Sequence, residues 1–113
     1  MKRIMEFPEL DDDLFELHDF VEKCEFILKA SSEGRVDEKD TIEKICKNII
    51  EIAKQMKLKR IKAKEGYEAI LAELNIIRSL TEDCKMDPRS LVADQHLIME
   101  ARVKDQIKYL DRK

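Results

Sequence analysis

The sequence predicts an all-α protein, on three observations. Apolar residues recur at three- and four-residue steps through most of the chain, the spacing that lines one side of a helix. Charged residues make up 42% and aromatics 5%, a composition suited to helices packed along apolar seams and poor for sheets. The chain holds two glycines and two prolines, and no proline falls between Thr41 and Cys84. With 43% apolar residues at regular spacing the chain can fold, and 113 residues suit a single helical domain over residues 1–113.

A first helix is predicted over about residues 8–32. Pro8 suits the first helical turn, and Glu9, Asp11, Asp12 and Asp13 suit the positive end of the helix dipole. Leu10, Leu14, Leu17, Val21, Cys24 and Leu28 alternate by four and three along one seam, which Phe20 and Ile27 widen. Ser31, Ser32, Glu33 and Gly34 close it, since glycine adopts the left-handed conformation that ends helices.

A long central helix follows over about residues 38–85, beginning at Asp37 or Asp40 as N-cap. Its first stripe is Ile42, Ile45, Ile49, Ile52 and Met56; its second is Ala63, Tyr67, Ile70, Leu74, Ile77 and Cys84. Between them Lys57–Gly66 is crowded with positive charge, and Gly66 weakens a helix by roughly 1 kcal/mol relative to alanine. An unbroken helix makes an antiparallel assembly of a long central helix flanked by two shorter ones. A break near Lys57–Gly66 makes a compact four-helix bundle instead.

The last helix is predicted over about residues 88–112, with Asp87 as N-cap and Pro88 in the first position. Val92, Met99, Val103, Ile107 and Leu110 form its stripe, with His96 on the same side. The sequence shows no internal repeat and no low-complexity tract.

Short connections favour antiparallel neighbours, which places Glu9, Asp11, Asp12, Asp13 and Glu16 beside Lys57, Lys59, Arg60, Lys62 and Lys64. The apolar arcs of the central helix are wider than one neighbour covers. That surplus predicts a protein partner or a homodimer, with Ile49, Ile52, Ile70, Leu74 and Ile77 as interface candidates. Phe15 and Phe26 join them because they sit eleven residues apart, nearly opposite the leucine seam of the first helix. The function expected is a non-enzymatic helical scaffold or adaptor subunit.

Two alternatives come from local motifs. Lys57, Lys59, Arg60, Lys62 and Lys64 are candidates for nucleic-acid contact, although no aromatic residue is interleaved for base stacking. Arg89 and His96, with six residues between them on the predicted last helix, form a pattern similar to the arginine–histidine motif of HEPN ribonucleases, with the polar Ser90 after the arginine. The resemblance covers eight residues; it implies a small, often dimeric helical bundle that cleaves RNA with that pair.

The remaining chemistry is sparse. Cys24, Cys46 and Cys84 are odd in number, far apart and on apolar helical positions, as expected of buried reduced thiols in an intracellular protein, cytoplasmic or nuclear. His18 and the cysteines lack zinc-ligand spacing, no Glu-x-x-His pair suggests a di-iron site, and Gly34 and Gly66 form no phosphate loop. No metal, cofactor or small-molecule substrate is expected. The net charge of −3 gives no global attraction to nucleic acid or anionic membrane, and no apolar run approaches the roughly 20 residues that span a bilayer.

Overall fold

The computed structural model of the protein describes residues 17–112, in which four helices follow one another: α1 (Leu17–Ser32), α2 (Lys39–Lys57), α3 (Ala63–Glu82) and α4 (Leu91–Asp111). No strand occurs among the described residues. The central helix expected over residues 38–85 is divided at Leu58–Lys62, so the four-helix alternative, with its break inside Lys57–Gly66, is the arrangement found. The stretch expected to open the first helix, residues 8–16, lies outside the described residues, as does Phe15.

All three chain reversals use the same device. Gly34, Lys59 and Cys84 take left-handed backbone angles, with φ of 76°, 59° and 60°. Each N–H bonds the carbonyl three residues back, and the next residue bonds the carbonyl five back: Arg35 to Ala30 at 3.0 Å, Arg60 to Gln55 at 2.9 Å, Lys85 to Leu80 at 2.9 Å. These paired bonds satisfy carbonyls that a helix end otherwise leaves open. One residue further on, Val36 and Ile61 are half-buried and Met86 is buried, so an apolar side chain anchors every turn.

The stops are 25 residues apart, and the buried positions keep the same interval. Leu17, Ile42, Tyr67 and Val92 are all in the core, as are Cys24, Ile49, Leu74 and Met99. The described chain is thus four helices separated by three like stops at a constant interval, a repeat of conformation and burial that residue identity does not display. Equal units bring alternate helices to the same height. Phe20 of α1 accordingly meets Tyr67 of α3 edge to face, with ring centroids 6.2 Å apart at 88°.

Gly66 has a different part from the weakening expected of it. It is buried at the start of α3, where a β-carbon would stand 2.3 Å from Met56 Cγ near the end of α2. The absence of a side chain lets the two helices close on each other just beyond their turn. Lys62, extended at φ −72° and ψ 150°, starts α3, and its N–H donates to the Glu65 carboxylate at 3.4 Å.

The other starts also differ from expectation. Ser90 caps α4 by accepting from the Ala93 N–H at 3.2 Å, and Asp87 caps the turn before it by accepting from the Arg89 N–H at 2.8 Å. The helix therefore begins at Leu91, three residues after Pro88. Asp37 likewise turns its carboxylate to the Asp87 N–H, 3.4 Å away, and ties the first and third reversals together at one end of the bundle.

Polar links fix the order of helices around the bundle. Ser31 Oγ donates to Glu43 at 2.7 Å between α1 and α2, and Asn48 donates to Glu73 at 3.3 Å between α2 and α3. Lys64 pairs with Asp111 at 2.6 Å between α3 and α4, and Arg102 with Asp19 at 2.6 Å between α4 and α1. α1 and α4 meet over the shortest stretch of these neighbours. The described body measures 46 × 28 × 23 Å.

Candidate functional site

Self-burial settles the position of most interface candidates. Ile49, Ile70, Leu74 and Ile77 are each 2% exposed or less, packed in the chain's own core, and Ile52 is half-buried against it. The expectation that these stripes need an outside partner is corrected by the break at Lys59. It folds the second half of the expected central helix back on the first, so each half covers the other's wide apolar arc.

Phe26 is different. It stays 47% exposed, on the edge of α1 that faces α4. The Asp19–Arg102 pair sets the antiparallel register of these helices. Seven residues further along α1 is Phe26, and seven residues back along α4 is Gln95, within one turn of Ile98. Ile98 is 42% exposed and its neighbour Leu97 is 52% exposed. Leu97 and Ile98 are not among the residues the sequence marks, because they flank the seam of Val92, Met99 and Val103. The signal was present in the run Leu97-Ile98-Met99 after His96, since no single helix side can bury consecutive residues.

Leu97 and Ile98 belong to a larger outer face. Asp94, Ala101, Asp105 and Lys108 share it at steps of three, four and seven residues, and all are exposed. α4 is thus apolar on the side that enters the core and again at the middle of the side that faces outward.

The inner side of α4 carries a buried polar cluster. His96 and Glu100 are 3% and 4% exposed. Arg78 of α3 bonds the Glu100 carboxylate, and Lys104 pairs with its other oxygen at 3.2 Å. Burial alone would raise the Glu100 pKa, but the bonds from Arg78 and Lys104 outweigh it and hold the carboxyl below its ordinary value. His96 Nδ1 lies 3.1 Å from the Ala93 carbonyl, which can only accept, so that nitrogen carries the hydrogen. Nε2 faces Glu100 at 3.7 Å without a hydrogen bond. Burial pulls the His96 pKa below its usual value.

Arg89 does not join this cluster. It sits in the turn before α4 with its side chain almost fully exposed, 3.9 Å from Asp87, while His96 is enclosed between helices. The shared helix face expected for the pair is therefore absent, because α4 begins at Leu91.

The basic candidates Lys57, Lys59, Arg60, Lys62 and Lys64 are exposed around the α2–α3 turn at one end of the bundle. Lys64 is engaged by Asp111, whose bond and charge raise the Lys64 pKa. The acids expected beside them, Glu9 through Glu16, lie outside the described residues.

Cys24 and Cys46 are buried and face each other between α1 and α2. The bond from Cys46 and burial both push the Cys24 thiol far up, which keeps it protonated. Cys84, expected in the core, is exposed because its left-handed backbone turns the chain at the end of α3. Among the described residues no group of three His, Cys, Asp or Glu side chains is placed to hold a metal ion, and no helix is long and apolar enough to cross a membrane. A groove of about 410 Å³ lies between α2 and α3, lined by Thr41, Lys44, Ile45, Asn48, Glu73 and Ile76.

No family model, curated protein or solved structure matches this chain.

Proposed function

We propose that this chain is a non-enzymatic helical interaction module that binds another protein chain through the outer side of α4 and the adjoining edge of α1. The observation that carries this is the exposure of Leu97, Ile98 and Phe26 at roughly half their surface, while most of the long apolar seams are closed within the chain and Leu58, Ile76 and Tyr109 are the other large apolar residues left exposed among the described residues. Large apolar side chains gathered on one side of a small domain are costly to leave in water, and aromatic and aliphatic anchors concentrate binding energy when a partner buries them. The helices supply a rigid frame; the Asp19–Arg102 bond holds the two contributing elements at fixed register.

A photo-crosslinking residue placed at 26 or 98 in cells should give discrete protein adducts. The same residue at Lys47, exposed on α2, serves as the reference. Equal or absent labelling at all three positions removes the basis for this function.

A further inference from the structure

The outer face of α4 is complementary to itself. Ala101 lies at its middle, Asp94 seven residues before and Lys108 seven residues after, so all three stand in one row along the helix. Seven residues are close to two helical turns, and a row of this kind is a seam on which a second helix can lie. Leu97 and Ile98 occupy the same face between Asp94 and Ala101, and all of these residues are exposed.

We propose that the partner for this face is a second copy of the chain, its α4 running antiparallel across Ala101 with a two-fold axis at the crossing. This rests on the interaction role proposed above and names its partner. A two-fold contact requires that if residue i meets residue j, then j meets i. Antiparallel pairing about Ala101 meets that demand in charge: Asp94 faces the partner's Lys108, and Lys108 faces the partner's Asp94. Parallel pairing would instead set Asp94 against Asp94 and Lys108 against Lys108.

The middle of the seam fits as well. Ala101 is small enough for the two helix backbones to approach closely there. By the same counting Ile98 lies over the aliphatic stem of the partner's Lys104 and Leu97 beside the partner's Asp105, with the partner's Ala101 between them. The ammonium group of Lys104 is drawn to Glu100, at 3.2 Å, which leaves its stem along the helix surface. Phe26, on the α1 edge beside Ile98, widens the apolar centre on one side.

The test is sedimentation equilibrium of the full chain from micromolar to millimolar concentration, with circular dichroism to confirm unchanged helix content. The wild-type chain should show a monomer–dimer equilibrium, and Leu97→Glu and the milder Leu97→Ser should shift it to monomer. Asp94→Lys and Lys108→Asp should each weaken the dimer by roughly tenfold, since each places two like-charge pairs in the contact. The double variant Asp94→Lys, Lys108→Asp should recover the wild-type affinity. A dimer insensitive to Leu97, or a double variant no tighter than the singles, would overturn this pairing. A chain monomeric throughout that still gives discrete crosslinks from position 98 overturns self-pairing and leaves the interaction role standing. A monomer without such crosslinks removes both.

Discussion

Gly66 and Met56 occupy the same small space: a β-carbon on Gly66 would lie 2.3 Å from Met56 Cγ and Sδ. Replacing Gly66 with alanine therefore sets two effects against each other. Alanine favours the helix by about 1 kcal/mol, while overpacking a buried contact costs about 1–3 kcal/mol. Gly66→Ala should lower the urea midpoint. In a Met56→Ala background the same change should cost less, or become stabilising, because the crowding γ-carbon and sulfur are gone.

Lys59 and Cys84 hold left-handed angles that only glycine adopts without penalty. Lys59→Gly and Cys84→Gly should each stabilise the protein by about 0.5–1 kcal/mol, read as a higher denaturation midpoint with an unchanged slope. The gain should be nearly additive, since the two turns lie at opposite ends of the bundle. Equal or lower midpoints would mean that the side chains of Lys59 and Cys84 contribute more than their backbone strain costs.

The His96–Glu100 cluster makes stability depend on pH. Burial lowers the His96 pKa below its ordinary 6.5, so on acidification the unfolded chain takes up a proton that the folded chain resists. Stability then rises with pH wherever the unfolded state binds more protons, and it falls as pH drops from about 6.5 toward the folded value. Glu100 acts in the same direction lower down: its pKa lies below the ordinary 4.5, so the stability it lends is lost as pH falls through that region. Thermal melts between pH 8 and 4 should show a declining midpoint. His96→Gln should flatten the decline near pH 6.

Thiol reactivity should separate the three cysteines. Cys84 is exposed, whereas Cys24 and Cys46 are buried and Cys24 is held protonated. A disulfide-exchange reagent should label Cys84 rapidly in the native protein and the other two only as it unfolds. Rapid native labelling of Cys24 or Cys46 would mean that α1 and α2 separate readily.

The inner faces of the helices were legible before any fold was known. The stripes through Ile42, Ile45 and Ile49, and through Tyr67, Ile70 and Leu74, are the faces that are buried. The break between them was harder to read, because the residue that turns the chain is Lys59 and carries none of glycine's signal. Gly34, at the same position of the first reversal, was recognised. Ser90 and Asp87 are equally good caps by residue type, and only the hydrogen bonds distinguish the cap of a helix from the cap of a turn. Of the exposed apolar residues, Phe26 stands out by its helical position, while Leu97 and Ile98 are hidden beside a true core stripe.

The chain by itself determined where helices form and which side of each is apolar, because a three- to four-residue period and the chemistry of glycine and proline act within a few residues. Tertiary structure decided where the long central segment divides and which apolar residues stay outside. Left-handed angles at Lys59 and Cys84 cost on the order of 1 kcal/mol each, less than the burial gained when the segments they join fold together. Whether a side chain such as Leu97 is covered depends on how many helices surround its own, a quantity that no local pattern contains.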